Sequence, residues 1–280
     1  PKLDGIRCIV QKKNGKIVSH TRTGREIETI PHVLEELKYF FELYPNAILD
    51  GELYNHALKS DFNKIVSLVR KQVPVRSEKQ TDNAFAKKVQ AFEGRMVEAK
   101  AMIQYWIYDC PRIGELDESN TFSERFGKMS EAYGFYLQND SSVVLVPTEN
   151  ISDKETLDEF YAEWLKKGFE GQMVRKDAPY ENKRSATLLK RKEFTDAEYK
   201  VLDIEEGDGN RTGTVKHLVC YCPTTDRTFN SNVKGNFEYL KEVLDNREYY
   251  IGQLATIKFF ELTPDGIPRF PFAIAFRDYE

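Results

Sequence analysis

The chain has 280 residues, of which 40% are hydrophobic and 31% charged, with a formal net charge of −4. That length suits two domains of ordinary size. No apolar run approaches the roughly 18 residues a membrane helix needs, and an acidic total argues against a general nucleic-acid sponge. The charge is uneven: residues 59–100 hold 10 basic and 5 acidic side chains, and 194–280 hold 10 basic and 15 acidic. Local patches of this kind steer polyanions even on an acidic protein.

In chain order, "CIVQKKNGKIVSHTR" reads as two strands joined at Asn14-Gly15, a strong hairpin signal. "PHVLEELKYFFELYP" has helical spacing between Pro31 and Pro45. "AILDGELY" is a short strand carrying acids, and "DFNKIVSLVRKQ" is a helix with Phe62, Ile65, Val66 and Val69 on one face. Residues 74–100 are polar and basic and turn helical from about Asn83. "AMIQYWIYDC" is a buried strand, "TFSERFGKMSEAYGFYL" a helix and "SSVVLVPTE" a strand. "SDKETLDEFYAEWLKKG" is a helix with a Ser152–Glu155 capping box and Gly168 at its end. "FEGQMVRK" and "TLLKRK" follow as strands.

From Glu198 short strands dominate: "EYKVLDIEE", "GTVKHLVCYC", "RTFNSNVK", "QLATIKFFEL" and "FPFAIAF", with one helix near 236–247. Five short strands and a helix fit a small barrel of oligonucleotide-binding type. The expected division is 1–193 and 194–280. Of the four cysteines, Cys220 and Cys222 share a strand face. No second pair of ligands completes a zinc site, so Cys8, Cys110, Cys220 and Cys222 read as reduced packing residues. The first ten residues lack the charged-then-apolar pattern of a signal peptide.

The chemistry concentrates in an ordered set of motifs. "PKLDGIR" places Lys2, Asp4, Gly5 and Arg7 as K-x-D-G-x-R, a pattern with chance odds of about 1 in 300 at average composition. "TRTGR" carries Arg22 and Arg25, "LDGEL" carries Asp50 and Glu52, and "YWIYD" carries Trp106 and Tyr108. "FEGQMVR" carries Glu170, "LLKRK" carries Lys190, Arg191 and Lys192, and "RFPFAIAFRD" carries Arg269 and Arg277. Each sets charge on an apolar strand, and a polar group beside a core strand faces a cleft because unpartnered burial costs several kcal/mol.

This set, in this order from Lys2 to Arg277, resembles the ATP-dependent DNA ligases within the covalent nucleotidyltransferase superfamily, in their minimal two-domain phage and large-virus form. The resemblance implies an α+β fold, an antiparallel-sheet adenylation domain followed by an OB-fold barrel. It implies that Lys2 attacks the α-phosphate of ATP and carries AMP. A lysine of ordinary pKa is a poor nucleophile at neutral pH, and Arg7, Lys190, Lys192 and a bound Mg²⁺ are the cations expected to lower it. Asp4 is expected to orient Lys2 or a later nucleophile, the alternative being a turn cap, and Gly5 to let the backbone pass close to the nucleotide. The resemblance gives Arg22 a phosphate, Glu52 the AMP ribose, Tyr108 the adenine face and Arg277 the pyrophosphate. Glu170 is expected to hold the metal, with Asp50 a weaker candidate. Lys190 and Lys192 alternate on one strand face and require an anion between them. Arg25 reads as surface, Trp106 as core, Arg269 as structural, and Arg191 as a salt-bridge or DNA contact.

The implied cofactors are ATP and Mg²⁺, with Mn²⁺ able to substitute. The implied partner is nicked duplex DNA, gripped through Lys64, Arg70, Lys71 and Arg76 on one flank and Lys183 and Arg184 on the other. The expected protein is a monomer acting in the cytoplasm, that of the host if viral or phage. Relatives carry a strand ahead of the lysine, so a segment before Pro1 is expected, and the lysine that often follows Arg277 is absent from "RDYE". The alternatives are an RNA ligase, an mRNA-capping guanylyltransferase, or a catalytically dead nucleic-acid clamp, which the filled motif positions disfavour.

Overall fold

Asn14 and Gly15 both adopt positive φ, 50° and 78°, the backbone of a tight hairpin turn whose twist matches its strands. It joins β1 (Ile6–Lys13) to β2 (Lys16–His20), with Lys13 opposite Lys16. This hairpin begins the first of two units, Pro1–Lys192 and Glu193–Glu280. The computed structural model describes residues 1–136, 141–183 and 185–277.

In the first unit, β3 (Ile48–Tyr54) pairs with the free edge of β1, β4 (Gln104–Arg112) pairs with β3, and β5 (Val143–Leu145) pairs with β4. The order is β2-β1-β3-β4-β5. The first three pairings are antiparallel and the last is parallel, so the sheet is mixed rather than wholly antiparallel. Alternate residues of β3 and β4, among them Leu49, Leu53, Tyr105 and Ile107, are fully buried. The intervening ones, Asp50, Glu52, Trp106 and Tyr108, stand on the opposite face, as period-two geometry requires.

Helices α1 (Pro31–Glu36), α2 (Lys38–Leu43), α3 (Phe62–Val69), α4 (Asp82–Met102), α5 (Phe122–Tyr136) and α6 (Lys154–Lys167) surround the sheet. The single helix expected between Pro31 and Pro45 is two, meeting at fully buried Leu37. The hydrogen bonds run through that joint, Leu37 N to Val33 O at 3.1 Å and Phe41 N to Leu37 O at 3.0 Å, so Val33, Leu37, Phe40 and Phe41 all still reach the core. Ala101 and Met102 end α4 rather than opening β4. The cap of α6 is Asp153, not Ser152: its carboxylate accepts from Thr156 N at 2.8 Å, which also places an anion at the positive helix end. Gly168 closes α6 at φ 88°, as expected of a left-handed cap. A separate two-stranded sheet, β6 (Gly171–Arg175) with β7 (Leu188–Lys192), completes the unit.

The second unit contains β8 (Thr195–Glu206), β9 (Val215–Cys222), β10 (Arg227–Val233), α7 (Phe237–Asp245), α8 (Arg247–Tyr250), β11 (Leu254–Phe259) and β12 (Phe272–Arg277). The expected single helix is thus divided at Asn246. The strands pair as β10-β12-β11-β8-β9, and β9 pairs back to β10, so every strand has two partners. Val201, Leu218, Cys220, Ala255 and Ile257 fill the interior. All four cysteines are buried and free of disulfides. Among the described residues no helix is long and apolar enough to cross a membrane.

Candidate active site

Lys2 is locked to β6 by its backbone. Its N–H donates to Gly171 O at 2.8 Å, and its carbonyl accepts from Glu170 N at 3.2 Å. Gly171 is at φ 151°, and a Cβ there would lie 2.2 Å from the Arg191 carbonyl, so no other residue fits beside β7. Gly5 serves a similar purpose. A Cβ on it would meet Leu53 O at 2.4 Å, so it permits a close approach to β3, and Gly5 also lines the cleft beside Lys2.

The amine of Lys2 pairs with Glu170 Oε2, and Lys192 Nζ donates to Glu170 Oε1 at 2.9 Å. The three side chains are 15%, 4% and 20% exposed, in the order Lys2, Glu170, Lys192, so one nearly buried carboxylate lies between two amines. Lys190 stands on the same side of β7 as Lys192 by strand alternation and lines the adjoining cleft. Arg191, on the other side, meets Asp158 at 2.6 Å and lies over the Tyr161 ring at 4.0 Å. Its salt-bridge role is the one the structure displays.

Beside Lys2, Arg7 forms a two-pronged pair with Asp50, at 2.9 and 2.7 Å. The Tyr180 hydroxyl lies 2.8 Å from both partners and donates to Asp50. Asp50 is 2% exposed. Both its oxygens are engaged, so in this structure Asp50 anchors Arg7. Glu52 is two residues along β3, and burial pushes its carboxyl up to about 8; Lys2 and Arg7 oppose the rise, while Asp50 and Asp4 add to it. Burial, then the charges of Asp50 and Glu52, raise the Tyr108 phenol. Asp4 sits in the turn after Lys2, near enough to Glu52 and Tyr54 for its charge to act on both.

These residues face a cleft of about 1070 Å³ in the first unit, lined by Lys2, Arg7, Arg22, Asp50, Glu52, Tyr108 and Lys190. Arg22 is exposed and has no ion-pair partner among the described residues. The residues lining the cleft include eleven lysines and arginines against six aspartates and glutamates. The surplus suits a polyphosphate. Among the described residues no three His, Cys, Asp or Glu side chains cluster to cage a metal.

The expected DNA contacts separate. Arg70, Lys71 and Lys183 line the same cleft, and Arg70 and Lys71 have no ion-pair partner among the described residues. Lys64 pairs with Glu98 and Arg76 with Asp82, and Arg76 stays exposed on the surface. Lys183 meets Glu181 at 3.0 Å. Arg184, and the "DYE" run after Arg277, lie outside the described residues. Arg277, in the second unit, holds Thr256 Oγ1 at 2.9 Å and Glu198 at 3.4 Å.

Sequence reasoning missed Tyr180, an aromatic in a loop with no periodicity to mark it. It also missed Asp109, which is fully buried between Arg125 and Arg175. The only signal for that triad was an unexplained acid in "YWIYD" and an arginine closing "GQMVR".

Residues 1–192 match the family of the ATP dependent DNA ligase domain. The DNA ligase of African swine fever virus, isolate Tick/South Africa/Pretoriuskop Pr4/1996, is 24% identical over 99% of this chain and 62% of its own length. The DNA ligase of Haemophilus influenzae is 26% identical over 96% and 82%, respectively. A structure of a Lig E DNA ligase, described as binding DNA with a minimal scaffold, shares the fold with a TM-score of 0.68 at 23% identity, over 99% of this chain and 90% of that one. The chain thus spans 62% of the viral relatives' length.

Proposed function

Because the chain belongs to the ATP-dependent DNA ligase domain family, we propose that it seals nicks in duplex DNA through a lysyl-AMP intermediate. The observation that carries this reading is the Lys2 amine, held with Lys192 on a single carboxylate at a cationic cleft. Lys2 Nζ gives up a proton and attacks the α-phosphorus of ATP. A P–N bond forms, the bond to the β-phosphate oxygen breaks, and pyrophosphate leaves. The AMP then passes to a 5′-phosphate, and a 3′-hydroxyl displaces it to close the nick. Lys190 and Lys192 stabilise the charge that gathers on the α-phosphate oxygens. Glu52 bonds the ribose hydroxyls, Tyr108 offers its ring to adenine, and Arg7, braced by Asp50 and Tyr180, holds the nucleotide in line.

The donor set fits Mg²⁺ in one mode, in which a single carboxylate shares the ion with substrate phosphates and water. Glu170 is the carboxylate that would hold the ion. The ion, when bound, supplies charge neutralisation on the phosphates. Arg70, Lys71 and Lys183 grip the DNA backbone. The second unit is read as an oligonucleotide-binding barrel, and Arg277 as its pyrophosphate-orienting side chain.

The test is labelling with α-³²P-ATP against α-³²P-GTP, followed by sealing of a nicked duplex. ATP-specific labelling that Lys2→Ala abolishes, together with sealing, supports the proposal. Labelling by GTP alone would make the chain a guanylyltransferase, and sealing only of RNA strands an RNA ligase.

A further inference from the structure

Glu170 stands on neither a helix nor a strand. Helix α6 ends at Lys167 and β6 begins at Gly171, so the carboxylate between the two lysines rides on a three-residue connector. A side chain from the segment after β3 grips that connector. His56 opens a 3-10 turn, His56–Leu58. Its Nε2 lies 2.9 Å from the Lys167 carbonyl and must donate there, since a carbonyl oxygen only accepts. Its Nδ1 meets the Tyr54 hydroxyl at 2.8 Å, and Tyr54 is fully buried in β3. Its ring packs on Phe169, centroids 4.3 Å apart, and Phe169 in turn meets Trp164 edge-on at 5.7 Å. Lys59 donates to the same Lys167 carbonyl at 3.2 Å. The last carbonyls of a helix have no partner within it. Here one is taken by His56 and Lys59, and the residue after the glycine cap is held by ring contacts with His56 and Trp164.

We propose that His56 is a positioning residue for adenylation of Lys2: by clamping Lys167 and Phe169 on either side of Gly168, it holds the Glu170 carboxylate in register with the Lys2 amine. The inference rests on reading Lys2 as the residue that takes AMP. His56 itself touches no reacting atom. The connector's own backbone bonds tie it to α6 and to Lys2, Gly168 N to Leu165 O at 2.8 Å, Phe169 N to Trp164 O at 3.0 Å and Glu170 N to Lys2 O at 3.2 Å; His56 adds the hold from the β3 side, and small displacements of a reacting group are costly in rate.

The experiment compares the wild-type chain with His56→Phe, which keeps a ring against Phe169 and loses both hydrogen bonds, and His56→Gln, which keeps an amide donor for the Lys167 carbonyl. His56→Asn replaces the phenylalanine variant if that one does not fold. Two rates are read: lysyl-AMP formation across a range of ATP concentrations, and sealing of a nick that already carries 5′-AMP, which bypasses attack by Lys2. For His56→Phe the maximal rate of lysyl-AMP formation falls about tenfold, of the order seen when a reacting group is misplaced. Its half-saturating ATP and its sealing of the pre-adenylated nick stay within about twofold of wild type, and His56→Gln recovers most of the loss. Parallel loss in both reactions, no recovery with glutamine, or a wild-type rate in His56→Phe overturns the inference. Absence of lysyl-AMP from the wild type itself overturns the parent reading, and this one with it.

Discussion

Replacing Glu52 by glutamine probes the electrostatics of the cleft floor. Burial pushes this carboxyl from 4.5 up to about 8 in the folded protein. Between those values the folded chain keeps a proton that the unfolded chain has released. The unfolded state binds fewer protons there, so raising the pH favours unfolding. The stability this group confers is complete below pH 4.5 and is lost as pH rises to about 8. Each pH unit in that window costs at most about 1.4 kcal/mol, which bounds the loss at about 5 kcal/mol. Glu52 is only partly buried beside the open cleft, and solvent screening there brings the expected figure to roughly 2 kcal/mol. Glutamine carries no titrating proton, so Glu52→Gln abolishes the dependence. Urea unfolding followed by tryptophan fluorescence measures it, because both tryptophans, Trp106 and Trp164, lie in the unit that holds Glu52. The stability of the variant relative to wild type rises by roughly 2 kcal/mol between pH 5 and pH 8. A difference constant to within about 0.5 kcal/mol over that range, the precision of the extrapolation, refutes the reasoning.

Asp109→Ala leaves Arg125, 1% exposed, without a buried counter-ion; the cost is about 3–5 kcal/mol. Calorimetry then shows the first unit melting about 10 °C lower. Glu170→Ala slows lysyl-AMP formation by on the order of 100-fold or more, comparable to loss of a charge-stabilising group, whereas Glu170→Asp retains part of the rate with Mn²⁺. Equal loss in both, unrelieved by Mn²⁺, indicates packing instead. The double variant Arg70→Ala with Lys71→Ala lowers the log–log salt slope of nicked-duplex binding by about 0.9 for each phosphate no longer neutralised. Lys64→Ala, whose amine is already paired with Glu98, leaves that slope unchanged.

What was legible in the sequence was local. The Asn14-Gly15 hairpin requires positive φ at adjacent residues, and that dipeptide supplies it at low cost. Gly168 ends α6 for the same reason. Strand alternation placed Lys190 and Lys192 on one face and Arg191 on the other, and the order of charged motifs on apolar strands pointed to one family. None of this says which charge meets which. Lys2 and Glu170 are 168 positions apart, and the bridge between Lys2 and Gly171 brings them together. Asp50 in "LDGEL" has the same composition signal as Glu52; the β1–β3 register sets Arg7 opposite Glu52, yet the arginine side chain reaches diagonally to both oxygens of Asp50. Nothing in the sequence said that α4 brings Glu98 to Lys64 and Asp82 to Arg76. Tyr180 and His56 sit in segments without periodicity, and their partners come from other elements of the fold. Propensity and turn chemistry act over a few residues, whereas a carboxylate's partner is settled by strand register and packing between distant segments, and that is decided only when the chain has folded.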